Sequence, residues 1–247
     1  MKFSITFIIG ATSESEAIKK TVYAIFEDCA PEDIGEIIIV KSQKASLECN
    51  LAIAQMEKEY PDYVVGLEQT RPFVGGAIQD AGDMVQTSHL MVLPGDLGIG
   101  LEAIAVMAEK EKQNPQGIVR VSRWLNKNSF MEGYSPVRKV FNACAQAFLR
   151  ILFQTKLTDL THPVQIMPTA LYRKIKWKEY NFPFLTEFAL TPLRLGASIS
   201  EVAASCQGRT EGKSSNSVWQ TMLYFKTALY IRFTKRENLL KENERLA

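Results

Sequence analysis

Cysteine and histidine are scarce in this sequence, and neither sign of charge dominates it. The four cysteines lie far apart without any C-x-x-C spacing, so we predict neither a zinc knuckle nor a dense disulfide framework and interpret them as reduced thiols of a cytosolic protein. The two histidines, His89 and His162, provide too little for a histidine-based triad or metal cluster. Because 29 Lys and Arg residues nearly balance 27 Asp and Glu residues, the net charge of +2 gives no general signal for nucleic-acid binding.

Long hydrophobic runs are also missing. No stretch reaches the roughly 18 uncharged apolar residues that a membrane-spanning helix requires. The short apolar run at residues 3–9 has only one flanking lysine and no small-residue cleavage site, so it predicts a buried strand and not a signal peptide. Any membrane contact is therefore predicted to be peripheral.

The composition is that of an ordinary globular protein, but its charge is unevenly distributed. Of the 247 residues, 46% are hydrophobic and 23% are charged. Residues 1–120 carry 10 basic and 18 acidic side chains, whereas residues 121–247 carry 19 basic and 9 acidic ones. The second half is the part that we expect to meet phosphate or an anionic surface.

The first half alternates between two kinds of hydrophobic pattern. Short β-branched runs predict strands at residues 3–9, 36–40, 63–67 and 89–93, and helical spacing predicts helices at 14–28, 47–59 and 76–87. This order predicts an α/β fold with a mainly parallel sheet. Ligands of such sheets bind beyond the carboxyl ends of the strands, here near residues 10–14, 41–46 and 94–98.

The second half contains a long amphipathic helix, predicted at residues 136–156. Its apolar stripe is predicted to pack in the core in preference to facing lipid, and it consists of Val137, Val140, Phe141, Cys144, Phe148, Ile151 and Leu152. Further patterns predict a helix at 181–195, a strand at 198–205 and a polar loop at 207–217.

Residues 218–233 form an apolar and aromatic tail that contains Lys226 and Arg232 and precedes Lys235 and Arg236. Its length and charges exclude a membrane span. Two alternatives stay open, a helix lying in a membrane interface and a helix packed on the domain or on a second subunit.

The turn after the first strand, Ile9-Gly10-Ala11-Thr12-Ser13, invites comparison with a dinucleotide-binding turn. That turn needs further glycines where this chain has Glu14 and Glu16, and carboxylates there would repel a pyrophosphate. Dinucleotide binding is therefore disfavoured.

Several short motifs follow one another in the second half. They are Val121-Ser122-Arg123, Asp159-Leu160-Thr161, Phe184-Leu185-Thr186-Glu187 with Gly196 nine residues on, Ile199-Ser200-Glu201-Val202, and Arg209-Thr210-Glu211-Gly212-Lys213-Ser214. Their order and spacing resemble those of polyprenyl-phosphate glycosyltransferases of the dolichol-phosphate-mannose synthase type, which belong to glycosyltransferase family 2. The resemblance covers nearly the whole chain, with Glu14 and Asp96 at matching positions in the first half.

This resemblance implies a glycosyltransferase A-type domain over residues 1–217, with a nucleotide-binding half at 1–120 and an acceptor half at 121–217, followed by an amphipathic helical tail at 218–247. It also implies transfer of a sugar from a nucleotide-sugar donor to an acceptor such as a polyprenyl phosphate at the cytosolic membrane face. By the same resemblance, the catalytic residues are Asp96 and Arg209, and the donor-binding residues are Glu14, Asp96 and Arg123. The acceptor- or phosphate-binding residues are Arg209, Ser214 and Glu187. The resemblance also implies that Asp96 is the ligand of a divalent cation (Mg or Mn).

The sequence departs from this family at several positions. The D-x-D-L-Q motif reads Pro94-Gly95-Asp96-Leu97-Gly98, the base-reading Asp pair is Lys41-Ser42, the opening proline is Gly10, and the final lysine of the loop is Ser215. Because one carboxylate holds a hard cation poorly, metal dependence and base specificity are left open.

Two other functions also remain open. One is a degenerate relative that serves as a binding or scaffold subunit in glycan assembly, which the missing carboxylates favour. The other is a sugar nucleotidyltransferase, although the Gly-rich opening loop with Arg and Lys expected there is missing. Under each of these functions, a homo-oligomer remains a possible state of the protein.

Overall fold

A seven-stranded sheet with helices on both faces forms the centre of the described structure. The computed structural model describes residues 2–96, 100–125, 136–205 and 218–244, without the side chains of residues 136–138 and 218–221. The strands are β1 (Ile5–Ala11), β2 (Ile34–Lys41), β3 (Val64–Glu68), β4 (His89–Pro94), β5 (Ile118–Ser122), β6 (Gln165–Pro168) and β7 (Ile199–Ala203). The α-helices are α1 (Glu16–Asp28), α2 (Leu47–Glu59), α3 (Phe73–Met84), α4 (Glu102–Gln113), α5 (Pro136–Phe153), α6 (Thr169–Lys174), α7 (Pro183–Leu195) and α8 (Val218–Phe233).

The strand order across the sheet is β3-β2-β1-β4-β6-β5-β7. Neighbouring strands are parallel except at β6, which is antiparallel to both β4 and β5. The predicted α/β fold with a mainly parallel sheet is therefore confirmed. The carboxyl ends of β1, β2, β3, β4, β5 and β7 meet at one edge of the sheet, which is called the carboxyl edge below.

Two apolar cores cover the two faces of the sheet. Strand β1 is buried on both sides, as expected for a central parallel strand with helices above and below it. On one face, α1, α2 and α4 pack through residues such as Ile18, Ile53 and Ile104. On the other face, α3, α6 and α7 pack through Ile78, Tyr172 and Phe188, among others.

Four of the strands and α-helices were not predicted from the sequence, namely α4, β5, β6 and α6. Strand β6 has four residues and helix α6 has six, which is too short for a hydrophobic period to show. Helix α4 has a weaker apolar pattern because four of its twelve residues are Lys or Glu at its carboxyl end.

The expectation that the apolar stripe of α5 packs in the core is wrong. Val140, Phe141, Phe148 and Ile151 are 64%, 54%, 41% and 79% exposed, and Cys144 is exposed as well. The inward face instead carries Gln146 and Leu149, while Leu152 is partly buried. Gln146 forms buried hydrogen bonds to the segment at residues 159–161, and these bonds turn the apolar stripe outward.

Helix α8 packs on the domain with one side only. Ala228 and Ile231 are buried beside Leu190 of α7, and the ring of Phe225 lies edge-on to that of Phe148, with 5.5 Å between the ring centroids. Met222, Leu229 and Phe233 lie on the exposed side. In the described parts of the chain, no helix has the length and apolar character needed to cross a bilayer.

Candidate functional site

The turns after β1 and β4 lie side by side at the carboxyl edge. Gly10 pairs with Pro94 in the sheet register, and a Cβ atom placed on Gly95 would lie 2.4 Å from the carbonyl oxygen of Gly10. The same Cβ position is 3.8 Å from Cγ of Glu14. Only glycine at position 95 permits this approach, which brings Glu14 next to the segment that carries Asp96.

Glu14 fixes the turn after β1. Its Oε2 accepts hydrogen bonds from the backbone N–H groups of Thr12, at 2.8 Å, and Ser13, at 2.9 Å. The turn is also tied to the loop after β2, because Ser46 donates its N–H to the carbonyl of Thr12 at 2.8 Å. Glu14 therefore shapes the entrance of the predicted donor site.

Asp96 directly follows this contact and is 8% exposed. On the far side of residues 97–99, Gly100 donates its N–H to the carbonyl oxygen of Ser205 at 2.8 Å. The start of α4 thus contacts the chain just after β7. Ser205 is the last described residue before the segment that contains Arg209 and Ser214, and those two predicted site residues lie outside the described residues.

Arg123, at the end of β5, forms a buried ion pair with Asp159. Its Nε donates to Oδ2 at 2.7 Å and its Nη2 donates to Oδ1 at 2.9 Å. Nη2 also donates to the hydroxyl of Thr161 at 2.7 Å. The structure therefore shows Arg123 held by Asp159 at the carboxyl edge, and its contact with donor remains a prediction.

Asp159 is the centre of a larger polar network. Gln146 of α5 donates to its Oδ1 at 3.0 Å, and Glu201 of β7 accepts the backbone N–H groups of Thr158 and Asp159, each at 2.8 Å. These bonds join β5, α5 and β7. The motifs Asp159-Leu160-Thr161 and Ile199-Ser200-Glu201-Val202 thus form one structural unit, which the sequence predictions included only as separate motifs.

The charges of this network have defined protonation states. Burial alone would raise the pKa of Asp159, but the charge and hydrogen bonds of Arg123 outweigh it and hold this pKa well below its usual range. Burial, together with the charge of Arg123, lowers the pKa of His162 to about 3. His162 is therefore neutral near pH 7, and its Nδ1 accepts the backbone N–H of Val164.

Glu187 lies in the first half of α7 and is 3% exposed. Its carboxylate accepts backbone N–H groups from Lys178, at 3.1 Å, and Glu179, at 3.0 Å. Burial raises the pKa of Glu187 to about 7, although these two N–H groups oppose the rise. The structure places this predicted acceptor-binding carboxylate against backbone, where it holds the segment that leads into α7.

The described residues fit a divalent cation poorly. Among them, no group of three or more His, Cys, Asp or Glu side chains comes together as a metal site. Asp96 offers one carboxylate, and Glu14 uses Oε2 to bind the turn. A cation here would need most of its oxygen ligands from the phosphates of a donor.

No protein-family model matches the sequence, and no curated protein matches it. Solved structures do resemble the fold. Glucosyl-3-phosphoglycerate synthase from Mycobacterium tuberculosis in complex with UDP aligns with a TM-score of 0.67 and 14% identity, over 95% of this chain and 82% of that chain. The complex of that enzyme with Mn²⁺, UDP and phosphoglyceric acid aligns with a TM-score of 0.67 and 13% identity, over 95% and 80% of the two chains.

A third solved structure, described as a mycobacterial protein, has a TM-score of 0.67 and 13% identity, over 95% of this chain and 76% of that chain. Identities this low show the fold alone. The fold is the glycosyltransferase A-type fold, as the sequence motifs predicted. The resemblance to the dolichol-phosphate-mannose synthase type stays a prediction.

Proposed function

We propose that this protein is a glycosyltransferase that moves a sugar from a nucleotide-sugar donor to a phosphate-bearing acceptor. The observation that carries the proposal is the contact between the turns after β1 and β4, which brings Glu14 beside the Gly95-Asp96 segment at the carboxyl edge of an A-type fold. In open α/β sheets this edge is where ligands bind. The neighbouring structures that contain UDP or UDP-glucose support a nucleoside diphosphate as the leaving group.

The departing diphosphate must be neutralised as the bond between sugar and phosphate breaks. We propose that Arg209 contacts a phosphate of donor or acceptor and that Ser214 supports it. Arg123 is proposed to position the site, because its ion pair with Asp159 fixes the end of β5. Asp96 is proposed to face the donor.

The neighbours include complexes with Mn²⁺ and with Mg²⁺, which makes a divalent cation a candidate for the donor site. In this chain Asp96 is the residue that would hold it, and the cation would supply positive charge to the diphosphate. Because one carboxylate is a weak cation site, no step of the proposed reaction depends on the metal. Binding with and without metal is therefore a variable of the experiment below.

The acceptor is proposed to carry phosphate because residues 121–247 have 19 basic and 9 acidic side chains. Two kinds of molecule have that chemistry. One is a small phosphorylated acid or alcohol, such as the phosphoglyceric acid or glycerol 3-phosphate bound by the neighbours. The other is the polyprenyl phosphate implied by the sequence motifs, for which transfer would take place at the cytosolic membrane face.

A second candidate function is a binding subunit without transferase activity. It is favoured by Pro94 and Gly98, which stand at the first Asp and the Gln of the D-x-D-L-Q motif that the sequence resembles. Such a subunit would bind donor or glycan but would not turn over a nucleotide-sugar.

The deciding experiment measures binding and hydrolysis of a panel of UDP- and GDP-sugars, with Mn²⁺ and with a chelator. It is then repeated with each class of phosphate-bearing acceptor. We expect binding of at least one donor and an increase in nucleoside diphosphate release when the correct acceptor is present. Binding without turnover under all conditions would favour the second candidate, and no binding of any donor would refute the transferase.

Asp96→Asn tests the site itself. We expect it to weaken donor binding or turnover more than Glu14→Gln does, because Asp96 is the carboxylate that remains of the metal motif. The matched control is Asp62→Asn, an exposed residue before β3, which should have no effect. If Asp96→Asn behaves like this control, Asp96 is not part of a donor site.

A further inference from the structure

Helices α5 and α8 expose large apolar side chains on one outer surface, here called the α5–α8 face. On α5 these are Val140, Phe141, Phe148 and Ile151, and on α8 they are Met222, Leu229 and Phe233. Phe233 is 76% exposed and Met222 is 60% exposed. Contiguous apolar patches of this kind on a protein surface mark sites of contact with a membrane or another molecule.

The two helices form one continuous surface. Phe148 lies against Phe225, and Nε of Arg232 donates to the carbonyl of Leu152 at 2.6 Å, so the helices run side by side in the same direction. On each helix these contact residues lie between the buried side and the exposed side. Because of this arrangement, both exposed sides point away from the sheet on the same face of the molecule.

The charges on the two helices themselves all have one sign. No Asp or Glu occurs between residues 133 and 158, or between 212 and 236. The exposed cations on or next to the helices are Lys139, Arg150, Lys226, Lys235 and Arg236, and Lys235 pairs with the exposed carboxylate of Glu237. A helix with an apolar exposed side, aromatic residues and only basic charges is typical of a segment that lies in a membrane interface.

We propose that the α5–α8 face docks on an anionic lipid bilayer, with α5 and α8 lying together in the headgroup region. A second copy of the chain fits the charges less well, because a two-fold contact would bring the cations of one copy against those of the other with no carboxylate on either helix. Anionic headgroups neutralise these cations, and the acyl boundary covers the apolar side chains. The sequence left such a contact as one of two alternatives for residues 218–233 alone, and the proposal now adds α5.

The experiment is co-sedimentation of the full chain with vesicles of phosphatidylglycerol and phosphatidylcholine, and with vesicles of phosphatidylcholine alone. We expect binding to the anionic vesicles, which falls as salt is raised, and at least about tenfold weaker partition into the neutral ones. Equal partition into both kinds of vesicle, or no binding to anionic vesicles at low salt, overturns the proposal.

Matched variants locate the surface. Ile151→Ser on α5 and Phe233→Ser on α8 should each weaken partition several-fold, whereas Leu47→Ser and Leu51→Ser on α2 should not. Leu47 and Leu51 are 70% and 61% exposed, and α2 lies on the opposite face of the sheet. Lys226→Glu should weaken binding to anionic vesicles, and Lys58→Glu on α2 is its control. Thermal unfolding of each variant confirms that the fold is retained.

A second copy as the occupant gives a different result. In that case Ile151→Ser would convert a dimer to a monomer in sedimentation velocity while vesicle binding stayed unchanged, and the bilayer proposal would be wrong. These measurements use no nucleotide-sugar, so their failure is distinguishable from a failure of the proposed transferase activity.

Discussion

Replacing Glu187 by glutamine is expected to change how the free energy of unfolding depends on pH. The carboxyl group is buried, and its pKa is raised from the ordinary value of 4.5 to about 7 in the folded protein. Between these two values the folded chain holds a proton that the unfolded chain releases. Stability at this site is therefore present in full below the unfolded pKa and is lost as pH rises towards the folded pKa.

The magnitude follows from the size of the shift. A difference of about 2.5 pKa units corresponds to about 3 kcal/mol, of which about 2 kcal/mol is lost between pH 5 and pH 8. Glutamine has no such proton, so Glu187→Gln should gain about 2 kcal/mol relative to the wild type over that range. Other titrating groups contribute equally to both proteins, so their contributions cancel in the difference between the two free energies of unfolding.

The assay is urea unfolding of both proteins at several values between pH 5 and pH 8. Glu48→Gln, at an exposed position in α2, is the control and should follow the wild-type curve. Parallel curves for Glu187→Gln and wild type would refute the account, because they would mean that Glu187 has the same pKa in the folded and unfolded chains.

Three further predictions concern the supports of the site. Arg123→Met should cost about 3–5 kcal/mol in urea unfolding, since it leaves Asp159 buried without its ion-pair partner, whereas Arg123→Lys should restore part of the loss. A cost below 1 kcal/mol would show that the pair contributes little. Gly95→Ala should lower stability by about 1–3 kcal/mol and weaken donor binding, because its Cβ would meet the carbonyl oxygen of Gly10, while Gly10→Ala should be tolerated because a Cβ there has nothing within 4 Å. Equal effects of the two alanines would contradict the close approach of the turns. Arg209→Ala should weaken a phosphate-containing ligand by about tenfold, as measured by calorimetry, and unchanged affinity would remove Arg209 from the site.

The first half of the fold could be predicted well from the sequence. Helix α2 has the predicted ends, and β1 to β4 lie within two residues of their predicted starts and ends. Strands β1, β2 and β4 are largely buried, so their apolar runs are nearly continuous, and the ends of all four strands are marked by polar or turn residues. Because this signal lies in the local sequence, the strands could be predicted without any knowledge of tertiary contacts.

The face of α5 could not be predicted in the same way. Hydrophobic periodicity identifies an apolar stripe but assumes that the stripe turns inward. Here Gln146 turns inward because Asp159 and the N–H of Leu160 need it, and these partners are distant in the chain. One sequence signal could have indicated the inward position of Gln146. It is a glutamine within an apolar helix that is followed by an Asp-Leu-Thr motif whose aspartate has no evident partner in the nearby sequence.

The candidate site also has one part that the sequence could predict and one part that it could not. The closeness of Glu14 to the Asp96 segment follows from parallel strand ends and was predicted. The engagement of Arg123 by Asp159 was not, because the sequence resemblance assigned Arg123 to the donor without showing its neighbours. Motif order indicated the fold, whereas the partners of each charged side chain had to come from the structure.

The position of β6 between β4 and β5 has a consequence for synthesis on the ribosome. Strands β1 to β4 are complete once residue 94 has been made and β4 can then pair with β1, but its neighbour on the other side, β6, is made only with residues 165–168. At about 5–20 residues per second, β4 therefore presents an open edge for roughly 4–15 s before its neighbour exists. Open strand edges pair readily with other chains, so the nascent protein should need a chaperone during this interval, and a chain stopped before β6 should aggregate.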